Sequence, residues 1–374
     1  MNKSYFSLGL MSGTSMDGID ASIIYSDGKT EYYAVLDKYF EYPNGIYKKL
    51  TNLRDNIKSS NDLKKHLKQL KFIEKEITFF HAESVNKILK TTKLDINFIG
   101  FHGQTIFHNS KEKITKQLGD GNLLSKLTKK KVIYDFRQND LKNGGEGAPL
   151  TPIFHKMIAK KLNLKSASFI NIGGIINETS VLEDGSFQAH DIGPGMCLID
   201  KWIRKNSKKK YDNGGNLARV GKINKKIFYK AISNWMLAFK PKIKKSLDTN
   251  EMELYFSHSK FLKGLSLEDG AATLTAFTVE ILIKMLSEIL GRNLLNHRYI
   301  LCGGGRKNNF LFKSINKHLP GLQLIDEYKI DGDFVESQAF AYLAIRSYLK
   351  LPISFPKTTG CKKPSRGGKL INNF

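Results

Sequence analysis

The stretch Gly9-Leu10-Met11-Ser12-Gly13-Thr14-Ser15-Met16-Asp17-Gly18-Ile19-Asp20 decides how this chain is read. An alternating apolar run from Tyr5 to Met11 leads into it, and a second, Ala21-Ser22-Ile23-Ile24-Tyr25, follows at once. Two such runs flanking a short polar segment predict a β-hairpin. Gly13 and Gly18 let the turn direct its amides outward, and Ser12, Thr14 and Ser15 add hydroxyl donors. Converging N–H groups of this kind can wrap an oligophosphate. On these residues alone, an ordinary Gly/Ser/Asp hairpin loop reads equally well. There is no Gly-Lys-Ser/Thr ending and no helix directly after the turn, so it is not a Walker A loop.

Working outward, the same pattern recurs. A third strand, Tyr32–Leu36, follows the first hairpin. Further on, Ala167–Ile172 turns at Gly173-Gly174 and returns as Ile175–Leu182, and a third strand, Phe187–Ile192, runs into Gly193-Pro194-Gly195. Two hairpins with Gly-bearing turns, each followed by a third strand and helices, predict an internally duplicated α/β protein. Between and after them the spacing predicts helical segments over Asn61–Lys90, Thr151–Leu162, Gly270–Leu290 (with Asp269 as N-cap), Asn308–His318 and Gly332–Lys350, the last carrying Glu336. Strands are expected at Phe98–Phe101, running into His102-Gly103-Gln104-Thr105, at Val132–Tyr134 before Asp135-Phe136-Arg137, and at Tyr299–Cys302 before Gly303-Gly304-Gly305. The segment from Asn143 to Leu150 breaks the pattern most clearly and reads as a hinge or domain junction, or as a flexible loop near a ligand. The expected domains are 1–134 with the tail 357–374, and 135–356.

The 374 residues are 41% hydrophobic, ample for buried cores. Cys197, Cys302 and Cys361 are odd in number and widely spaced, which suits free thiols in a reducing cytoplasm. No segment approaches the roughly 18 apolar residues of a membrane span, and the N-terminus does not read as a secretory signal. The formal net charge is +25. Its lysine runs, Lys129-Lys130-Lys131, Lys208-Lys209-Lys210 and Lys244-Lys245, are scattered between core elements without interleaved aromatics. They read as solvated surface rather than as a nucleic-acid or membrane-binding face.

Four loops share one character: Gly13–Asp20, Gly173-Gly174, Asp191–Gly195 and Gly303–Gly305 are glycine-bearing and lie at strand ends, where α/β sheets bind ligands. Two hairpin turns followed by a strand–glycine loop–helix element resemble the actin, hexokinase and heat-shock-protein ATPase superfamily. More narrowly, the opening Gly9–Gly18 stretch, Phe101-His102-Gly103-Gln104-Thr105, Asp135-Phe136-Arg137, Gly147-Ala148-Pro149-Leu150, Asn171-Ile172-Gly173-Gly174-Ile175, Asp191-Ile192-Gly193-Pro194-Gly195 and Pro356-Lys357-Thr358-Thr359-Gly360 resemble the signature blocks of 1,6-anhydro-N-acetylmuramate kinases, from one end of the chain to the other.

The resemblance implies two ribonuclease-H-like domains flanking an ATP and sugar cleft, and a homodimer. It also implies ATP- and Mg²⁺-dependent opening of an anhydro-sugar with phosphorylation of O6, in cytoplasmic cell-wall recycling. Breaking the C1–O6 bridge needs a nucleophile at C1 and a captor for O6. A carboxylate in reach of a water meets the first need. Asp191 matches the family's catalytic aspartate, though its place before Gly-Pro-Gly also suits a helix N-cap. Phosphoryl transfer asks mainly for positioning and charge neutralisation. The nucleotide is expected on Gly13, Thr14, Ser15, Met16, Asp17, Gly18, Ile19 and Asp20, on Gly173, Gly174 and Asn177, and on Gly303, Gly304 and Gly305. Asp17 is either a water-mediated Mg²⁺ ligand or a turn aspartate. Gln104, Arg137 and Glu336 are expected at the sugar, and His102 beside them is either a site residue or a satisfied buried histidine.

Two departures stand out. Met196 replaces the Asn that usually follows Gly-Pro-Gly, and Lys244-Lys245-Ser246-Leu247-Asp248 begins with Lys where Pro is common. A kinase of another sugar with the same fold, and a basic nucleic-acid-binding protein, are the competing readings.

Overall fold

The computed structural model describes residues 3–239, 263–291 and 297–374, so the Lys244–Asp248 block lies outside the described residues. The chain divides into two units, Met1–Asn163 with Phe334–Phe374, and Leu164–Asp333.

The first unit holds β1 (Tyr5–Ser12), β2 (Gly18–Ser26), β3 (Tyr32–Glu41), β4 (Phe98–Asn109), β5 (Ile114–Leu118), β6 (Val132–Tyr134) and, from the far end of the chain, β12 (Lys369–Ile371). The sheet order is β12-β6-β4-β1-β2-β3, with β5 paired to β4. β1 runs antiparallel to β2 and parallel to β4. Period-two alternation sends Leu8, Leu10, Ile99 and Phe101 to one face, where helices Asn44–Asn56 and Leu67–Thr91 cover them with Leu50, Leu53, Ile73, Ile77 and Val85. Gly9 and Gly100, paired across β1 and β4, lie on the other face. Helix Val335–Tyr348 comes down onto that face: a methyl at Gly9 would lie 1.9 Å from Ser337 O, and one at Gly100 2.3 Å from Phe340 O. The first glycine of the opening motif is therefore required by helix packing. That packing fixes Glu336 in the helix's first turn.

The second unit holds β7 (Ala167–Ile172), β8 (Ile175–Val181), β9 (Phe187–Pro194), β10 (Arg298–Cys302) and β11 (Gln323–Leu324), in the order β11-β10-β7-β8-β9. β7 is antiparallel to β8 and parallel to β10. This repeats β6-β4-β1-β2-β3 strand for strand, so the duplication expected from the hairpins extends to five strands of each sheet. Ile170, Ile172, Ile176 and Ile192 pack against Phe277, Ile281 and Leu282 of helix Leu267–Leu290 and against Trp235. Two α/β units with one strand order are the architecture expected of the ATPase superfamily.

The expected boundary after residue 134 is corrected. Residues 135–163 and 334–356 belong with the first unit, because helix Val335–Tyr348 is the layer that covers its sheet. The hinge reading of 143–150 falls with it, since that segment lies inside one unit and is pinned there. Gly145 N donates to Asp140 O (2.9 Å) and Glu146 N to Thr359 O (2.8 Å). Gly147 N donates to Asp140 Oδ2 (2.7 Å), and Lys113 Nζ reaches the carbonyls of Gly144 and Gly145. Helix Leu267–Leu290 is capped by Ser266, whose Oγ accepts from Asp269 N (3.0 Å), while Asp269 accepts from Lys222 N instead. Among the described residues, no helix is long and apolar enough to cross a membrane.

Candidate active site

The first hairpin turn is smaller than its sequence motif. β2 begins at Gly18, so Gly18, Ile19 and Asp20 are laddered to β3, and Asp20 also pairs with Met11 of β1. The Ile19 side chain is in the core. Met16 adopts a left-handed conformation (φ 59°) with its side chain buried, and its N–H closes the turn onto Gly13 O (3.2 Å). Ser12 is buried too, with Oγ 3.0 Å from Tyr42 OH and 3.3 Å from His81 Nε2, so it is no loop donor. The groups facing solvent are Thr14, Ser15 and Asp17, and Ser15 Oγ donates to Asp17 Oδ1 at 2.6 Å. Gln104, expected at the sugar, is fully buried and braces this turn: Nε2 donates to Gly13 O at 2.9 Å, and its Oε1 has no hydrogen-bond partner.

Arg137, directly after β6, is tied to His102 at the end of β4. Its Nε and Nη2 lie 3.1 and 3.0 Å from His102 Nε2, and Nη1 donates to Gly147 O at 2.7 Å. His102 Nδ1 sits 2.8 Å from Gly103 O, which only accepts, so the ring carries its proton on Nδ1 and offers Nε2 to the guanidinium. Burial first, then the Arg137 charge, holds His102 neutral, well below the ordinary histidine range. The ring packs on Phe340 with centroids 4.4 Å apart. Burial pulls Arg137 down to about 10 against the opposing charges of Glu336 and Asp140. The Glu336 carboxyl is pushed up by burial, with Arg137 opposing. Arg137 and Glu336 thus share one electrostatic environment. A cavity of about 450 Å³ opens beside His102, with Lys116, Lys142 and Lys369 in its wall. Lys116 is paired with Glu74 and Lys369 with Asp135, so lysine content alone does not make it an anion site.

In the second unit, Asp191 lies in β9 and is 7% exposed. It does not cap the helix after Pro194; that helix, Cys197–Asn206, starts from Met196 without a side-chain cap. Asn177 Nδ2 donates to Asp191 Oδ1, so Asn177 faces the carboxylate. The Gly173-Gly174 turn is stapled to the start of the same helix: Met196 N donates to Gly173 O (2.9 Å), and Gly195 N and Cys197 N to Gly174 O (2.9 and 3.2 Å). Met196 makes its contribution here through its backbone.

The triple glycine divides into different jobs. Gly303 (φ 79°) and Gly305 lie on the end of β7, where methyls would approach Asn171 Oδ1 to 2.1 Å and Ile172 Cγ2 to 2.3 Å. Gly304 has nothing within 4 Å of such a methyl. Arg306 locks this loop from beneath, donating to Asp326 (2.7 and 3.0 Å), Asp333 (2.6 Å), Asp331 (3.3 Å) and Gly303 O (3.2 Å). Motif reading missed Arg306 and its three aspartates because none lies within a signature block. It also missed Asp140, which accepts from Thr359 Oγ1 (2.7 Å) and Gly147 N; the unexplained Pro356–Gly360 block was the available signal.

The glycines also test whether a nucleotide fits. Methyls at Gly13 and Gly173 would meet no atom nearer than 3.6 Å, Gly304 is open, and none of the three has a positive φ. Neither packing nor backbone conformation demands glycine there, and the bare backbone leaves room for close approach by an external group. Among the described residues there is no cluster of three or more His, Cys, Asp or Glu side chains placed to hold a metal. The exposed Asp17 carboxylate suits Mg²⁺, which takes one or two carboxylates plus water and phosphate oxygens.

A sequence model described as anhydro-N-acetylmuramic acid kinase matches residues 5–373. A protein of that name from Pelagibacter ubique is 50% identical, with all of both chains covered. Another of the same name, from Brucella abortus, is 37% identical over 96% of this chain and 97% of its own. Among solved structures, the Acidaminococcus fermentans (R)-2-hydroxyglutaryl-CoA dehydratase component A is 14% identical, covers 92% of this chain and 99% of its own, and has a TM-score of 0.45. With the family model spanning nearly every residue and a relative at half identity over full length, the chain belongs to the anhydro-N-acetylmuramic acid kinase family.

Proposed function

We propose that this protein opens 1,6-anhydro-N-acetylmuramic acid with water and transfers the γ-phosphoryl group of ATP to O6. The products are N-acetylmuramate 6-phosphate and ADP, formed in cytoplasmic peptidoglycan recycling. Full-length membership of the family carries this reading. Water attacks C1 and gives its proton to Asp191. The C1–O6 bond breaks toward O6, and O6 forms its new bond to the γ-phosphorus as the bond to ADP breaks. Asp191 returns the proton to solvent before the next turnover.

Gly13 to Asp17 and the Gly173-Gly174 turn hold the phosphates, and the open backbone at Gly304 takes the adenosine. Arg137 and Glu336 orient the sugar. Mg²⁺, held through water by Asp17, would neutralise phosphate charge. The homodimer implied by the family resemblance belongs to the same proposal.

Incubation with the anhydro-sugar, ATP and Mg²⁺ tests the reading by mass spectrometry. One 6-phosphate per ADP supports it. An untouched anhydro-sugar, with rapid phosphorylation of an open-ring sugar, would replace it with the other sugar-kinase reading.

A further inference from the structure

The geometry assigns Asn177 as the residue that positions the Asp191 carboxylate, and removes it from the nucleotide site. The assignment rests on Asp191 being the group that takes the proton from water.

Asn177 and Asp191 are direct cross-strand partners on β8 and β9. They meet because the ladder slips between them: Ile176 pairs with Gly193, Asn177 with Asp191, and Ile192 is the extra residue. A bulge of this kind bends the strand and re-aims a side chain, and bulges recur beside active sites. Here it turns Asp191 onto the Asn177 amide, whose Nδ2 donates to Oδ1.

The row continues. Asn171 pairs with Asn177, and Cys302 with Asn171. Asn171 is hemmed in from the β10 side, where its Oδ1 occupies the space a methyl on Gly303 would need. The result is two neutral amides leading to one carboxylate.

The residue types fit the task. Asp191 is almost fully buried, and a buried carboxylate requires hydrogen-bond donors. A lysine in place of Asn177 would bring a full positive charge against the base, and an aspartate would repel it. A neutral amide fixes the plane of the carboxylate through one oxygen and leaves its charge in place.

The experiment compares wild type, Asn177→Ala, the isosteric Asn177→Asp, Asp191→Asn and the double variant Asn177→Ala/Asp191→Asn. It measures kcat at saturation, the dissociation constant of a non-hydrolysable ATP analogue, and melting temperature. For a positioning residue, both Asn177 variants lose about 100-fold in kcat, the cost of a misplaced catalytic group. They keep nucleotide affinity within about twofold, and Asn177→Ala adds no further loss in the Asp191→Asn background. A nucleotide ligand would show the reverse, weakened analogue binding with kcat intact, and that result overturns the assignment. So does wild-type kcat in either variant while Asp191→Asn is inactive. Retained activity in Asp191→Asn would instead sink the base assignment itself. Asn177→Asp preserves the shape of the side chain and carries the test if Asn177→Ala does not fold.

Discussion

A guanidinium can donate from Nε and Nη2 to one imidazole nitrogen while Nη1 holds a carbonyl; an ammonium on a flexible stem cannot reproduce that fork. Arg137 does this with His102 and Gly147, so its orientation is set before any ligand arrives. Arg137→Lys is expected to raise the KM for the sugar by about 10–100-fold, the worth of a charge-assisted hydrogen bond, with ATP-analogue affinity unchanged. An unchanged sugar KM in steady-state kinetics would remove Arg137 from the sugar site. The same scale shows why the contacts of some residues in these motifs were not legible in the sequence. Ser12 and Thr14 are both small hydroxyl residues in one motif. Only the side-chain alternation of β1, which ends at Ser12, sends one inward to Tyr42 and His81 and leaves the other in solvent. Asn177 looked like a second-hairpin donor because it follows Gly-Gly closely. A slip of one residue in the ladder gives it Asp191 as its partner instead.

At the scale of loops and strands, adjacent glycines in one loop have opposite reasons to exist. Gly303→Ala places a methyl against Asn171 at positive φ and should cost about 2 kcal/mol or more, seen as a lowered melting temperature. Gly304→Ala meets nothing within 4 Å, so it should melt like wild type and bind ATP analogues several-fold more weakly. Equal stability of the two variants would contradict this division. The hairpins were legible because their apolar alternation is clean, and the helix at 335–348 because it is buried almost all round and so reads as a long, mainly apolar run. Helix Asn44–Asn56 was missed because only Ile46, Leu50 and Leu53 are buried along its 13 residues. β5 was missed because its strand ITKQL carries a lysine and two other polar side chains that hide the alternation. The 143–150 segment has the composition of a flexible loop, but Asp140, Thr359, Lys113 and Arg137 tie it down, and Thr359 and Lys113 are too distant in sequence to leave a local signal.

Across the whole molecule, acid sensitivity should be uneven. In the first unit burial holds His81 down to about 4, His108 to about 4, His155 to about 3, and His102 well below its ordinary value. In the second unit His297 is lowered, again by burial. The unfolded chain protonates these rings near pH 6.5 while the folded chain resists. The stabilisation is therefore full above that pH and is lost as pH falls from about 6.5 toward 4. Hydrogen exchange at pH 5 is expected to show the first unit opening before the second; the opposite order would contradict the assignment of these rings as neutral. The central claim concerns the two bonds remade at the sugar. Turnover in ¹⁸O-labelled water, quenched early, tests it most directly: wild type should place one heavy oxygen at C1 and none in the phosphate ester, and Asp191→Asn should fold, bind nucleotide and lose turnover by several orders of magnitude. An unlabelled C1, a label in the ester, or near-normal turnover without the Asp191 carboxylate would contradict the account.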